Sequence, residues 1–216
     1  MRGPSANRRP PARGRKGGES VGGSAPAARQ RQRGFTLVEL MVVVAIIAVL
    51  AVIAIVAYRA ILSSSKVAEA QTVVQSIRAA QESYHAETLA YANVSSSPTA
   101  TYPAAAPGQF KTQWGAPCGS QCNTTPTWAD LGVHVDGPVQ FGYVTTAGAA
   151  GVAANPASIV MTGRTVALPT KPTTDWFYIA ATADLDGNGG TPFGAGNTNV
   201  YATSWSNEVW VDNDGQ

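Results

Sequence analysis

The chain places one carboxylate, Glu39, at the start of its longest apolar stretch. The sequence R-G-F-T-L-V-E-L begins at Arg33, and no charged residue follows Glu39 until after Tyr58. A carboxylate in the first turn of a helix gains about 0.3–1 kcal/mol from the helix dipole. At the centre of a bilayer it costs about 2.5–3.5 kcal/mol on insertion scales. Glu39 therefore either caps the helix at the level of the lipid headgroups or requires a cation when helices pack together.

The two cysteines, Cys118 and Cys122, stand four positions apart in P-C-G-S-Q-C. Outside the cytoplasm, a disulfide closing this small loop is the expected chemistry. A metal site would need further ligands, and His134 is distant in the sequence. We therefore predict a disulfide.

Asp184, Asp186 and Asn188, followed by Gly189, match the opening D-x-D-x-N-G of a calcium loop. Ala195 stands at the twelfth position, where such a loop has a bidentate Glu. The alternative is a polar turn between strands, because Asp, Asn and Gly favour turns for backbone reasons. Calcium is thus a candidate ligand, and no other cofactor is predicted.

No set of residues predicts catalysis. His85 and His134 are the two histidines, and neither has a cysteine or a carboxylate pair nearby in a known catalytic spacing. No Gly-rich phosphate loop follows a candidate strand. We expect a protein that is not an enzyme.

The elements that position these residues begin with the apolar stretch. Leu40 to Tyr58 is 19 residues without a charge, or roughly 28 Å of helix, close to the thickness of a bilayer core. Residues 59–91 then turn amphipathic, with apolar residues at helical spacing interrupted by Gln81. Neither Pro nor Gly occurs between Phe35 and Ala90. These patterns predict one long helix, of which the first half spans a membrane.

Charge is divided unevenly along the chain. Residues 1–34 carry nine basic groups and one acidic group, a net of +8, whereas residues 35–216 carry six basic and twelve acidic groups, a net of −6. The basic, Arg-, Gly- and Pro-rich segment is typical of a disordered leader, and it predicts no nucleic-acid binding. Basic residues before an apolar helix keep the N-terminus in the cytoplasm.

Residues 92–216 show short candidate strands separated by turns. They are Gln140–Thr146, Trp176–Ala183, Val200–Trp205 and Glu208–Val211, with Ser206 and Asn207 as the last turn. Four such strands predict a small antiparallel sheet that packs on the apolar stripe of the helix. The predicted fold class is α+β, with a globular β head after the long helix.

The R-G-F-T-L-V-E-L motif and the apolar run after it resemble the N-terminus of type IV pilins and pseudopilins. The resemblance covers Arg33 to about Tyr58. It implies cleavage between Gly34 and Phe35 by a prepilin peptidase, which removes residues 1–34, and N-methylation of Phe35. It also implies that Glu39 pairs with the Phe35 amine of a neighbouring subunit during assembly.

The resulting hypothesis is a structural subunit of a type IV pilus. The partners would be identical subunits in a helical filament, the prepilin peptidase and an inner-membrane assembly machinery. The chain would lie in the inner membrane with its head in the periplasm, and later in an extracellular pilus. A pseudopilin of a type II secretion system, a minor pilin and a membrane-tethered binding module that never polymerises remain alternatives.

Overall fold

The computed structural model describes residues 34–188, 190–194 and 196–213. The leader predicted over residues 1–34 therefore lies outside the described residues, except for Gly34. The described residues fall into two units, divided between Ala45 and Ile46. The described part contains a long helix and antiparallel strands, which confirms the predicted α+β fold.

Helix α1 spans Leu37–Thr88, 52 residues without interruption. The continuous helix follows from the absence of Pro and Gly, since either residue weakens or breaks a helix interior. The helix ends before Leu89, whose φ of 59° is in the left-handed region. The predicted single long helix is confirmed.

Four strands form the main antiparallel sheet. In chain order, the strands of the described residues are β1 (Thr112–Gln113), β2 (Pro138–Val139), β3 (Gly142–Gly148), β4 (Ser158–Met161), β5 (Arg164–Ala167), β6 (Trp176–Ala183), β7 (Thr198–Thr203) and β8 (Ser206–Asp212). The main sheet has the order β3-β6-β7-β8, while β1 pairs with β2 and β4 pairs with β5. The main sheet uses the four strands that the sequence predicts.

Strand β6 is buried on both faces. Phe177, Ile179 and Ala181 pack in one core with the apolar stripe of α1, which includes Val74 and Ile77. The alternate residues of β6 pack in a second core on the other face of the sheet, which the β4–β5 hairpin helps to cover. A continuous apolar run is the pattern expected of a strand with two buried faces.

One local expectation was wrong, and one hairpin was missed. The turn between β7 and β8 lies at Ser204 and Trp205, because Thr203 pairs with Ser206 and leaves two residues for the loop. Ser206 is therefore a strand residue and not part of a turn. The β4–β5 hairpin was not predicted, since each of its strands has only four residues and carries too short a pattern to recognise.

Gln81 does not interrupt the buried stripe of α1 but belongs to it, with no exposed surface. Its amide nitrogen donates to the carbonyl oxygen of Ala92 at 2.7 Å and to Thr145 Oγ1 at 2.8 Å, and its Oε1 accepts from the Ala92 N–H at 2.8 Å. A buried polar group is tolerated when its hydrogen bonds are made. Gln81 thereby ties α1 to the following loop and to β3.

Candidate processing and assembly site

The predicted cleavage point lies immediately before α1. Gly34, Phe35 and Thr36 are not helical, and the helix begins at Leu37. The Phe35 side chain is 83% exposed, and no heavy atom lies within 4 Å of the position that a Gly34 Cβ would occupy. The Gly34–Phe35 peptide bond is therefore uncovered in the described part of the chain.

Thr36 and Glu39 form a reciprocal cap at the start of α1. The Glu39 N–H donates to Thr36 Oγ1 at 3.2 Å, while the N–H and the hydroxyl of Thr36 both donate to Glu39 Oε2 at 3.4 Å. This is the capping-box arrangement of a Thr followed three residues later by a Glu, and it satisfies helix N–H groups that lack partners within the helix. Thr36 was missed in the sequence reading, although its spacing from Glu39 is the sequence signature of this box.

The cap leaves part of the Glu39 carboxylate available. Both bonds from Thr36 use Oε2, and among the described residues Oε1 has no hydrogen-bond partner. An ionised carboxylate offers about four acceptor sites in all. Capping the helix and pairing with a further cation are therefore compatible roles for Glu39.

The same box recurs in the head. The N–H and the hydroxyl of Thr127 donate to Asp130 Oδ2 at 2.8 Å, and the Asp130 N–H donates to Thr127 Oγ1 at 3.3 Å. The hydrogen bond from the Thr127 backbone is the main cause that lowers the pKa of the Asp130 carboxyl. The head thus shows the box as a local cap, without an apolar helix behind it.

The first half of α1 exposes its apolar side chains in all directions. The large apolar residues from Leu37 to Val56 are each between 45% and 74% exposed. The helix is long and apolar enough to cross a membrane, with a mean hydropathy of 3.4 in its most apolar window. An apolar surface of this extent fits membrane anchoring.

Cys118 and Cys122 are bonded as a disulfide, with their Cα atoms 5.7 Å apart. The loop that they close is joined to the segment after α1. Ser95 forms a bridge with Cys122, and the Ser96 N–H donates to the Gln121 carbonyl oxygen at 3.0 Å. The disulfide therefore closes a small loop that is joined to the segment after α1 by backbone contacts.

The calcium candidate forms turns in the structure. Asp184 Oδ1 accepts from the Gly187 N–H at 2.8 Å, and Asp186 Oδ1 accepts from the Asn188 N–H at 3.2 Å. Gly189 and Ala195 lie outside the described residues, within which no group of three His, Cys, Asp or Glu could hold a metal ion. Calcium at this loop stays a prediction, which isothermal titration of the detergent-solubilised chain with calcium would test.

The two histidines contact different carboxylates. His85 Nε2 is 3.8 Å from Asp175 Oδ2, and its ring stacks on Tyr91 with centroids 4.3 Å apart. His134 Nε2 is 3.2 Å from Asp136 Oδ1 on an exposed surface. Neither histidine has a nucleophile among these partners.

Comparisons with known proteins identify the N-terminal region only. Neither a curated protein nor a solved structure is significantly similar to this chain. Residues 29–55 match the family model described as the prokaryotic N-terminal methylation motif. This match includes the uncovered Gly34–Phe35 bond and the capped Glu39. The chain therefore carries the signature of type IV prepilins and pseudopilins.

Proposed function

We propose that the chain is a structural subunit of a type IV pilus, held in the inner membrane by α1 until it polymerises. The observation that carries the proposal is the exposed apolar surface of α1, which lies almost entirely within the methylation motif. Burying one large apolar side chain stabilises by about 1.5–3 kcal/mol, and the stretch from Leu37 to Val56 exposes many of them. Lipid covers this surface before assembly, and the same helix of neighbouring subunits covers it afterwards.

Processing precedes assembly in this proposal. A prepilin peptidase cleaves the Gly34–Phe35 bond, and the new amine of Phe35 is methylated. The support is the match to the motif and the uncovered position of this bond before the helix. Cleavage removes the basic leader and leaves a cation just before the apolar first half of α1.

Glu39 then sets the position of one subunit against the next. Its Oε1 accepts the Phe35 amine of a neighbouring subunit, while Oε2 keeps the bonds from Thr36. A carboxylate in an apolar filament core is stable only when a cation and hydrogen bonds compensate its lost hydration. The pair therefore favours the one axial register in which both charges meet.

The test replaces Glu39 in the native cell. Glu39→Ala abolishes surface filaments, seen by electron microscopy, while the amount of chain in the membrane stays unchanged. The matched control is Glu87→Ala, which removes an exposed carboxylate from the last turn of the same helix and leaves filaments intact. Filaments at the wild-type level in Glu39→Ala would contradict the proposal and favour a tethered module that never polymerises.

A third variant separates the two roles of Glu39. Thr36→Ala breaks the capping box, which is worth about 0.5–2 kcal/mol, but keeps the carboxylate. Filaments persist in this variant if the amine pair is what assembly requires. If Thr36→Ala abolishes filaments as fully as Glu39→Ala does, helix capping alone explains the residue.

A pilus subunit and a pseudopilin differ in where the chain accumulates. A pilus subunit is released from the cell surface by shearing, whereas a pseudopilin of a type II secretion system stays with the cell and its loss blocks secretion. Fractionation of sheared cells, with an antibody against the head, distinguishes the two outcomes.

A further inference from the structure

The exposed apolar surface of α1 continues past Tyr58, where the sequence predicts that the membrane span ends. Ile61 and Leu62 are 67% and 42% exposed, although they follow the charged Arg59. An arginine near the end of a span can keep its aliphatic part in lipid while its charged group reaches the headgroups. Three serines follow Leu62. The apolar surface of α1 therefore extends to Leu62.

Only a short piece of α1 separates this surface from the head. Among the described side chains, Val67 is the first of α1 that belongs to the core of the head. Val67 follows Leu62 by five positions, or about 7.5 Å of helix. The headgroup layer on each side of a bilayer is about 5–7.5 Å thick. The end of the head that lies toward Leu62, here called the base of the head, is therefore next to the headgroups.

Contacts between α1 and the sheet show which strand ends form the base. Arg78 donates to the carbonyl oxygen of Thr203, the last residue of β7. His85, in the last turn of α1, lies 3.8 Å from Asp175, which directly precedes β6. The end of β7 and the start of β6 thus lie toward the C-terminal end of α1. Because β6 and β7 are antiparallel, the end of β6 and the start of β7 lie at the base.

The segment that carries Phe110 also lies at the base. The N–H of Asp184, directly after β6, donates to the Pro107 carbonyl oxygen at 3.2 Å. Lys111 Nζ is 2.8 Å from Glu69 Oε2, in the first turn of α1 that packs in the head. Phe110 stands between these two contacts and is 86% exposed, more than any other large apolar residue of the described chain. The base thus exposes an aromatic side chain close to the membrane.

We propose that the base of the head rests on the membrane before assembly, with Phe110 inserted into the headgroup layer. This inference rests on the proposed function, because it requires α1 to be embedded in lipid. Burying a Phe side chain is favourable by about 1.5–3 kcal/mol, and Phe is among the residues that interfacial proteins bury at the boundary of headgroups and acyl chains. Polymerisation then has to lift the head from the lipid surface.

The tilt of α1 brings Phe110 to the required depth. Glu69, which marks the level of this segment, follows Leu62 by seven positions, or about 10 Å along the helix. Membrane helices are tilted by about 20° on average. A tilt toward the side of the head that carries Phe110 lowers this side to the headgroups and raises the opposite side.

Charge does not drive this contact. Arg59 and Lys66 have no ion pair among the described residues, but Asp184 and Asp186 lie in the loop after β6 at the same end of the head. The base is therefore not a basic patch that selects anionic lipid. The contact depends on the apolar insertion of Phe110, and it forms on a lipid without net charge.

The test is photo-crosslinking of the full chain in vesicles of phosphatidylcholine, which has no net charge. A benzophenone amino acid replaces Phe110, an exposed position at which a substitution leaves the head folded. Mass spectrometry is expected to find lipid adducts at position 110. The matched control carries the same group at Leu89, which is 79% exposed and about 40 Å from Leu62 along α1, and it gives no lipid adduct.

The same group at Ile53, within the span, reports on the anchor itself. Lipid adducts at position 53 but not at position 110 overturn the inference and leave the proposed function intact. Equal yields at positions 110 and 89 also overturn it, because they show random encounters of the head with lipid. If position 53 gives no lipid adduct, α1 is not embedded in lipid, and the inference falls together with the proposed membrane anchor.

Discussion

The two halves of α1 belong to one helix but differ in what covers them. From Leu37 to Val56 every large apolar side chain is at least 45% exposed, whereas Val67, Ala70, Val74 and Ile77 are 0–3% exposed. The second half has its partner within the chain, in the sheet. The first half has none among the described residues. A helix that is apolar on all sides needs lipid or other helices. The comparison therefore separates the half of α1 that packs in the head from the half to which the proposed function assigns anchoring and assembly.

Paired Ile→Ala substitutions give the largest contrast between the halves. Ile77 has no exposed surface and Ile53 is 63% exposed. Ile77→Ala lowers the free energy of unfolding of the head by about 2–5 kcal/mol, because it leaves a cavity in a packed core. Ile53→Ala changes it by less than about 0.5 kcal/mol. Urea unfolding of the detergent-solubilised chain, followed by tryptophan fluorescence, measures both, and equal effects would contradict the division.

The next largest effect on stability is expected at Gln81, which makes the buried polar contacts of the second half of α1. Gln81→Ala lowers the free energy of unfolding by about 2–3 kcal/mol, because both backbone groups of Ala92 and the Thr145 hydroxyl lose a buried partner. Gln75→Ala, at an exposed position of the same helix, is the control and is expected to be neutral. Both variants are measured by the same urea titration. If Gln81→Ala leaves the free energy of unfolding unchanged, water replaces the side-chain amide in the variant, which contradicts the prediction.

Arg78 tests the comparison between the two halves of α1 at the edge of the buried face of this helix. Its guanidinium donates to the carbonyl oxygens of Thr203 at 2.6 Å, of Asn207 at 3.2 Å and of Ser206. Arg78→Met removes these bonds to the β7–β8 turn and lowers the free energy of unfolding by about 1–2 kcal/mol. Lys66→Met, on the same helix, is the control with little expected change. Similar losses of stability in both variants would show that the effect comes from removing a positive charge and not from the hydrogen bonds of Arg78.

Tyr143 gives the smallest effect and a pH dependence. Burial, with a smaller contribution from the Glu69 carboxylate, raises the pKa of the Tyr143 hydroxyl well above its ordinary value, and that hydroxyl has no hydrogen-bond partner among the described residues. A raised tyrosine pKa stabilises the fold below about pH 10, and this stability is lost as the pH rises further. Tyr143→Phe removes part of the loss.

At neutral pH the same variant is expected to be as stable as the wild type or about 1 kcal/mol more stable, since an unpaired buried hydroxyl is removed. Circular dichroism during alkaline titration measures the loss of stability at high pH, and urea unfolding measures the stability at neutral pH. A variant that unfolds at a lower pH than the wild type would show that the hydroxyl has a partner in solution.

Local sequence patterns predicted most of the fold. The long helix follows from an uninterrupted run without Pro or Gly, and β6 follows from the apolar run W-F-Y-I-A-A-T-A. Contacts distant in sequence could not be foreseen. Gln81 looked like an interruption because its partner Thr145 is 64 residues away, and the four-residue strands β4 and β5 carry too few residues for a pattern.

The residues of the candidate site also divide into those that a local sequence pattern identifies and those that it does not. Gly34, Phe35 and Glu39 were identified from a contiguous motif, and Thr36 could have been added from its spacing to Glu39. The ring contacts among Tyr102, Trp114 and Trp128 were not predictable, because these residues come from separate loops whose approach depends on the complete head. Roles that depend on neighbouring copies remain predictions.

Mass spectrometry of filaments sheared from the cell surface tests the central proposal most directly. The proposal predicts an abundant chain whose first peptide begins at Phe35 and carries one methyl group on its amine. Filaments that lack this chain, or a surface-exposed chain that still contains residues 1–34, would contradict the account of α1 as an anchor that becomes a filament core.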